Sequence, residues 1–233
     1  MNHVTLPDNV RRGLAFYLAM EEFVAREVDG EAFFVWRVDP TVIIGRNQIL
    51  ENEVNAEYCH SHGVEIVRRK SGGGCVYSDM GNIMISYVSD RGEVAEVFDR
   101  YMSALASALK SLGLPAVNTA RNDIMIDGRK VSGNAFQQLP DKSIVHGTLL
   151  YSTDLAALTE AIRPPVEKLR RHGVESVRQR VTNLSDYRSL HEVLQTADGV
   201  MDFLVRYFTD SEVVLSPAQV ERISEMESKY QKY

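Results

Sequence analysis

The chain has 233 residues, 44% of them hydrophobic and 25% charged, which is the composition of an ordinary globular domain with a full core. Its formal net charge of −6 argues against a dedicated nucleic-acid-binding protein, because binding a duplex needs a strongly basic surface. Two cysteines are too few for a disulfide framework, and neither a signal peptide nor an apolar stretch of about 20 residues is apparent, so we expect a cytoplasmic protein with no membrane partner.

Apolar residues that recur at helical spacing predict four helices. One is expected over residues 9–26, with Asp8 as its N-cap. The clearest covers residues 93–112, where Gly113 and Pro115 end it. Shorter helices are predicted over 153–162 and 200–208.

Runs rich in Val, Ile, Phe and Tyr between the helices predict strands. These runs cover residues 33–38, 41–44, 65–68, 82–88, 123–126 and 145–151. Asp127-Gly128 directly follows one of them and predicts a tight hairpin turn. Strand pairs joined directly, with helices interspersed irregularly, favour an α+β fold with a mixed sheet. We expect a single domain over 1–233, with a helical tail after about Asp186.

The most unusual segment covers residues 68–77 and contains three consecutive glycines, Gly72, Gly73 and Gly74. Glycine is costly in backbone entropy, so a packed domain needs a reason to keep three together. One reason is close approach of backbone N–H groups to an anionic ligand, to which Arg69 and Lys70 would add positive charge. The spacing matches neither the P-loop nor the dinucleotide fingerprint. A mobile loop between two strands is the alternative.

A second polar segment, residues 120–135, places Asn122 and Asp123 at the start of a predicted strand. Their side-chain oxygens could bind a nucleotide or its magnesium ion. Beyond the turn, Lys130 precedes small residues, where it could place a compact charge on a carboxylate or phosphate. A surface hairpin with a solvated lysine is an equal alternative for this segment alone.

His146 enters an apolar strand ahead of Gly147 and Thr148. A lone histidine in this setting is more often a hydrogen-bonded structural residue than a general base, so we expect it to shape a pocket. Further on, basic residues cluster between Lys168 and Arg180. They could contact an acidic protein or a phosphate, or form an ordinary polar surface.

Taken in order, these segments resemble the lipoate-protein ligase A family. The resemblance covers roughly residues 37–184, and the ordered set is far more specific than any single motif. It is carried by residues 44–48, 69–77, 79, 81–82, 122–123, 129–135, 146–150, 154–155, 176–178 and 181–184.

The resemblance implies the biotin/lipoate protein ligase fold, a class II synthetase-like α+β fold with a mixed, mostly antiparallel sheet flanked by helices. It also implies a two-step reaction. ATP and lipoic acid give lipoyl-AMP and pyrophosphate, and a lysine of an acceptor protein then takes the lipoyl group. The acceptor would be a lipoyl domain of a 2-oxoacid dehydrogenase E2 component or a glycine-cleavage H protein.

The resemblance also implies roles for individual residues. Lys130 would be the catalytic residue, a fixed cation that offsets charge as the carboxylate attacks the α-phosphate. Asp123 would hold Mg²⁺, and apolar residues near Val42, Val76 and Tyr77 would house the lipoyl chain. The residues expected to bind the substrate or lipoyl-AMP are Arg69, Ser71, Gly72, Gly73, Gly74, Cys75, Tyr77, Asn82, Asn122, Asp123, Ser132, Gly133, Ala135, His146, Gly147 and Thr148.

Three departures from the family pattern matter. Cys75 and Ser78 stand where many members carry alanine and histidine. A reactive Cys75 is conceivable, but no histidine is adjacent in sequence to activate it, so a small buried residue is favoured. Gln137 and Gln138 stand where an arginine is common. The chain ends at Tyr233, where long members continue into a C-terminal accessory domain, so a small separate protein could be needed.

The nearest alternative is a lipoyl or octanoyl transferase of the same fold that uses a preactivated donor and an acyl-cysteine. Neither position where such a cysteine is expected holds one here, so a ligase is favoured. The chain could also be the catalytic half of a split ligase. A non-catalytic binding protein is disfavoured by Lys130 and the glycines, and a biotin ligase by the order of the motifs. Nothing requires more than a monomer.

Overall fold

The strands of the protein form two sheets. The computed structural model describes residues 1–119, 122–162 and 181–233. Its strands are β1 (Asn2–Thr5), β2 (Ala32–Trp36), β3 (Thr41–Ile44), β4 (Glu65–Arg68), β5 (Val76–Ser78), β6 (Asn82–Asp90), β7 (Ala116–Asn118), β8 (Asp123–Ile126), β9 (Arg129–Gln138), β10 (Lys142–Leu150) and β11 (Ser211–Val214). The larger sheet has the order β11-β1-β2-β6-β10-β9-β8-β7, and the smaller sheet has the order β4-β3-β5.

Most neighbouring strands are antiparallel. In the larger sheet, β1 is parallel to β2 and to β11, and the other described pairs are antiparallel. In the smaller sheet, β3 is parallel to β4 and antiparallel to β5. Between β8 and β9, Asp127 and Gly128 have φ values of 49° and 73°, the left-handed pair that a tight hairpin requires. The predicted α+β fold and the predicted hairpin are therefore confirmed.

The α-helices are α1 (Leu14–Glu27), α2 (Leu50–Glu53), α3 (Ala56–Ser61), α4 (Val94–Ser111), α5 (Leu155–Ala161), α6 (Ala197–Phe208) and α7 (Pro217–Glu227). Helix α4 confirms the clearest prediction, and Gly113 follows it with a φ of 81°. Helix α1 begins later than predicted, because the carboxylate of Asp8 accepts hydrogen bonds from the Val10 N–H and the Arg12 guanidinium in a non-helical segment that precedes it. None of the helices in the described ranges is long and apolar enough to cross a membrane.

The larger sheet carries a hydrophobic core on each face. Successive residues of β6 alternate between the two cores, as they must in a strand. Ile83 and Ile85 belong to the core that includes residues of α4 and α6, whereas Met84 belongs to the core that includes residues of α1. Helix α1 also packs on α7. The face that α1 covers is the one that carries the candidate site.

The segment predicted as a helical tail contains a strand as well as helices. Two 3₁₀ helices, Leu184–Leu190 and Glu192–Gln195, precede α6. Strand β11 follows α6 and pairs with β1 at the edge of the larger sheet. This strand was not predicted, because three of its four residues are exposed and no apolar run marks it.

Candidate functional site

A cleft is lined by residues from both sheets, from α1 and from the loop between β4 and β5. A row of paired residues crosses five neighbouring strands at the cleft: Trp36, Met84, Thr148 and Gly133 line it, and Asp123 continues the row beside Gly133. At the usual strand spacing this row extends roughly 19 Å. It runs from bulky apolar side chains, through a hydroxyl and a glycine, to a carboxylate. The cleft therefore suits a ligand that is apolar at one end and charged at the other.

The smaller sheet contributes Ile43 and Val76 to the apolar part of the cleft, beside Leu18 of α1. Ile43 and Val76 are paired across β3 and β5, and so are their neighbours Val42 and Tyr77. Because side chains alternate along a strand, Val42 and Tyr77 point the other way.

Val42 and Tyr77 accordingly belong to a separate core with Ile44 and Cys59. Of the three residues expected to house the lipoyl chain, Val76 lines the cleft, whereas Val42 and Tyr77 lie on the opposite face of their strands. Tyr77 is not among the described residues that line the cleft.

The glycine loop between β4 and β5 is held by Arg69. The guanidinium of Arg69 donates to the carbonyl oxygens of Gly72 (2.7 Å) and Gly74 (2.7 Å). Gly73 lies between them with a φ of 94°, which favours glycine. Arg69 is 5% exposed, and burial lowers its pKa to about 10, an effect that Cys75 partly offsets. Backbone carbonyls hold the guanidinium at the wall of the cleft, to which it contributes a positive charge.

Ser71 and His146, both predicted, are brought together. The Oγ of Ser71 lies 2.7 Å from the Nε2 of His146, and the Nδ1 of His146 lies 2.7 Å from a carboxylate oxygen of Glu21 on α1. His146 lines the cleft. Glu21 was not predicted, because nothing in the local sequence shows that a glutamate on α1 meets a histidine 125 residues away.

Lys130 lies at the polar part of the cleft. Its ammonium nitrogen is 2.7 Å from Oδ1 of Asp123 on the neighbouring strand. The backbone of Lys130 is held by a hydrogen bond from the Thr182 N–H to its carbonyl. Gly133 leaves room for the side chain, since a Cβ at Gly133 would lie 2.5 Å from the Lys130 nitrogen. The lysine can therefore lie across the strand and point its charge into the cleft.

Asn122 and Asn134 hold each other at the edge of the cleft. Asn122 has a φ of 106°, which is strained for a residue with a side chain. Its side-chain amide donates to the carbonyl of Asn134, and the side-chain amide of Asn134 donates back to the carbonyl of Asn122 at 3.1 Å. Both residues line the cleft. Asn134 lies inside a recognised motif but was not predicted as a site residue.

Cys75 lines the cleft as a free thiol. Burial raises its pKa to about 12, with a smaller contribution from Glu53, while Arg69 acts in the opposite direction. Cys59 is buried in the core below, and burial also raises its pKa. A thiol with so high a pKa is protonated at neutral pH and is a poor nucleophile.

The other predicted residues fall into three groups. Gly74, Ala135, Gly147 and Thr148 line the cleft. The predicted residues Ser71, Gly72, Asn82, Asp123 and Ser132 do not appear among the described lining residues; Asn82 and Ser132 are fully buried. The basic cluster from Lys168 to Arg180 lies outside the described residues. Within the described ranges, no three His, Cys, Asp or Glu side chains are grouped to hold a metal ion.

Comparisons with known proteins agree on one family. Residues 14–209 match the model described as the lipoyl protein ligase A/B catalytic domain. Lipoate–protein ligase 1 of Staphylococcus aureus is 36% identical over 199 residues, which cover 84% of this chain and 60% of that protein. The chain thus spans about 60% of the length of this curated relative.

Two solved structures share the fold. One is a bi-partite lipoate protein ligase and its E2 lipoyl domain from Thermoplasma acidophilum, with a TM-score of 0.83 and 27% identity, covering 98% of this chain and 93% of that one. The other is a lipoate-protein ligase A bound with ATP, with a TM-score of 0.82 and 25% identity, covering 98% of this chain and 94% of that one.

Proposed function

The chain belongs to the family of lipoyl protein ligase A/B catalytic domains, and we propose that it joins lipoate to a lysine of an acceptor protein at the expense of ATP. The first step forms lipoyl-AMP and pyrophosphate. The second step transfers the lipoyl group to the lysine and releases AMP.

One observation carries this proposal: the row of residues along the cleft changes from apolar to charged. Trp36 and Met84 suit a hydrocarbon chain, while Lys130 and Asp123 suit a carboxylate and a nucleotide. Gly133 between them lets a ligand approach the backbone closely. A lipoyl chain along the row would bring its carboxylate to Lys130.

In the first step, a carboxylate oxygen of lipoate attacks the α-phosphorus of ATP, and the bond to pyrophosphate breaks. Two anionic groups must approach each other, and negative charge accumulates between them. The ammonium of Lys130 would offset that charge in the transition state, which is the largest single contribution in many enzymes. The buried guanidinium of Arg69 adds a second positive charge to the same cleft.

Asp123 is the described residue best placed to hold Mg²⁺. Magnesium is usually bound by one or two carboxylates together with substrate phosphates, so a single aspartate fits such a site. Asp123 is paired with Lys130 in this structure, and side chains of both are partly exposed. When ATP binds with its metal, Lys130 would turn to the reacting carboxylate and phosphate, leaving Asp123 to the ion.

In the second step, the uncharged amine of the acceptor lysine attacks the carbonyl carbon of lipoyl-AMP. The carbon–oxygen bond to AMP breaks, an amide forms, and the amine releases a proton to solvent. None of the described groups in the cleft is an evident base for this proton. Catalysis would rest on aligning the amine and on stabilising the departing phosphate through Lys130.

The acceptor would be a lipoyl domain of an E2 component or a glycine-cleavage H protein. The Thermoplasma acidophilum structure, which pairs a ligase with its E2 lipoyl domain, supports the first of these. Acceptors of this type are typically acidic around the target lysine, which would suit the basic cluster between Lys168 and Arg180.

The test is to mix the protein with lipoate, Mg-ATP and an apo lipoyl domain, and to measure the intact mass of the acceptor. We expect a gain of one lipoyl group that requires ATP and is lost in Lys130→Ala. An acceptor whose mass does not change under any condition would refute the proposal.

A second candidate is the catalytic half of a split ligase or a transferase that uses a preactivated donor. It is favoured by the similarity to a chain of a bi-partite ligase, 93% of which this chain covers. No transfer with ATP, together with transfer from synthetic lipoyl-AMP, would support this candidate and exclude an autonomous ligase.

A further inference from the structure

Helix α1 presents two consecutive carboxylates to two consecutive residues of the glycine loop. Glu21 and Glu22 are 1% and 4% exposed. Glu22 forms an ion pair with Lys70, and Glu21 reaches Ser71 through His146. Burying a carboxylate costs free energy unless it is paired or hydrogen-bonded, so both glutamates depend on these contacts. Of the two contact residues, His146 lines the cleft and Lys70 is not among the described lining residues.

The direction of the hydrogen bonds to Glu21 follows from Trp36, the first residue of a chain that reaches Glu21 through Ser86. The indole nitrogen of Trp36 can only donate, and it lies 2.9 Å from the Oγ of Ser86. The hydroxyl of Ser86 is therefore free to donate onward, and its oxygen lies 2.6 Å from Oε1 of Glu21. Oε1 of Glu21 is thus an acceptor.

The second oxygen of Glu21 determines the state of His146. Oε2 lies 2.7 Å from the Nδ1 of His146. An ionised carboxylate only accepts hydrogen bonds, so the proton of this pair is on Nδ1. In a neutral imidazole the Nε2 is then an acceptor, and the hydroxyl of Ser71 at 2.7 Å supplies the donor. Two chains of hydrogen bonds therefore end at the carboxylate of Glu21. One runs from Trp36 through Ser86, and the other runs from Ser71 through His146.

We propose that Glu21 is a positioning residue of the acid-binding cleft, which fixes His146 in the Nδ1–H tautomer and thereby holds Ser71 and the glycine loop in place. That the ligand is lipoate rests on the proposed function. The proposal gives Glu21 no contact with the ligand, because Glu21 acts through the two cleft residues Trp36 and His146.

The position of Ser71 explains why the loop depends on this network. Its carbonyl accepts a hydrogen bond from the Arg46 N–H (2.9 Å), so Ser71 also joins the glycine loop to the loop after β3. Gly73 and Gly74, which follow Ser71, line the cleft. A change of tautomer at His146 would therefore loosen the glycine loop, which forms the wall of the cleft that the ligand contacts.

Glu21→Gln tests the charge while keeping the shape. Glutamine has one acceptor oxygen in place of two, so it can satisfy Ser86 or the Nδ1–H of His146, but not both. We expect lipoate to bind about tenfold more weakly or worse, measured by calorimetry. Glu22→Gln is the matched control: it removes a neighbouring buried carboxylate and the ion pair to Lys70, and we expect less than a twofold change.

A spectroscopic readout separates positioning from simple structural support. Long-range ¹H–¹⁵N correlation spectra distinguish protonated from unprotonated imidazole nitrogens, and His146→Asn identifies the His146 signals. We expect the Nδ1–H tautomer in the wild type and in Glu22→Gln, and a changed spectrum in Glu21→Gln. The spectrum of the wild type alone shows which tautomer His146 adopts, so this measurement is decisive even if Glu21→Gln does not fold.

Two results would overturn the proposal: an Nε2–H tautomer in the wild type, or folded Glu21→Gln with unchanged lipoate affinity. Failure of the wild type to bind lipoate would instead refute the proposed substrate. In that case the spectra of the wild type and Glu21→Gln alone decide whether Glu21 positions His146.

Discussion

The ammonium nitrogen of Lys130 lies 2.7 Å from Oδ1 of Asp123, across neighbouring strands at the polar part of the cleft. The two side chains are 38% and 27% exposed, and ion pairs this accessible contribute little to stability. Lys130 can therefore exchange Asp123 for a substrate carboxylate or phosphate at small cost. The ion pair therefore keeps a positive charge beside the row of paired residues where we propose that the lipoate carboxylate lies.

Replacing Lys130 should remove activity and leave the fold intact. We expect Lys130→Ala to lower lipoyl-AMP formation by about 100-fold or more, since the cation acts on charge that develops in the transition state. Lys142→Ala is the matched control, because Lys142 forms an equally short ion pair with Asp90 (2.7 Å) away from the cleft. Equal loss of activity in both variants would show that the cleft lysine has no special role.

Gly133→Ala should act on Lys130 without unfolding the protein. The new Cβ would lie 2.5 Å from Nζ and 2.6 Å from Cε of Lys130, the far end of a flexible side chain that can move away. We expect adenylation to fall severalfold or more while the melting temperature changes little. Thermal unfolding and initial rates check this together, and normal rates would contradict the proposed path of the lysine.

The glycine loop offers a matched pair of substitutions. Gly73 has a φ of 94°, and a Cβ there would lie 2.9 Å from a guanidinium nitrogen of Arg69, whereas Gly72 has open space around it. Gly73→Ala should cost about 1–2 kcal/mol of stability and weaken lipoate binding. Gly72→Ala should be close to neutral. Denaturant unfolding and calorimetric titration measure both effects, and equal behaviour of the two variants would argue against a strained loop.

Ile43 and Ile44 are neighbours on opposite faces of β3, and only Ile43 lines the cleft. Ile43→Val and Ile44→Val each remove one buried methyl group and should each cost about 0.5–1.5 kcal/mol of stability. Only Ile43→Val should also weaken lipoate binding, by roughly fourfold for one lost methylene contact. If Ile44→Val weakened binding instead, the acyl chain would lie on the other face of the smaller sheet.

Cys75 should be dispensable as a nucleophile. Its pKa of about 12 leaves roughly one part in ten thousand as thiolate at pH 8. Iodoacetamide should therefore label the folded protein very slowly at pH 8, faster as the pH rises, and rapidly once urea exposes both cysteines. Cys75→Ser should retain activity. An acyl group trapped on Cys75, detected by mass, would favour the acyl-cysteine transferase instead.

Local sequence predicted most elements of the fold because their patterns are local. Helix α4 has clear helical periodicity, and the strands over 41–44, 65–68 and 123–126 are short runs of strand-favouring residues with turn residues near their ends. The start of α1 was wrong because Asp8 has two compatible roles, helix cap and turn acceptor, and only tertiary contacts decide between them. Strand β11 depends on pairing with β1, about 200 residues away, which no local pattern encodes.

The residues of the candidate site also differ in whether the local sequence reveals them. Lys130, Arg69, Gly73 and Gly74 lie in contiguous motifs, and the structure brings them to one cleft. Leu18, Trp36 and Met84 come from separate elements, and their side chains look like ordinary core residues in the sequence. Val42 and Tyr77 were predicted beside Val76, and Ile43 was missed, because strand parity cannot be read from an all-apolar run.

The most direct test of the proposed activity is the formation of lipoyl-AMP, measured by mass spectrometry after the protein is incubated with lipoate and Mg-ATP. The cleft predicts lipoyl-AMP that requires both substrates, formed by the wild type and by Lys142→Ala but about 100-fold less by Lys130→Ala. No lipoyl-AMP from the wild type, or equal amounts from the wild type and Lys130→Ala, would contradict a ligase in which Lys130 drives activation of the acid.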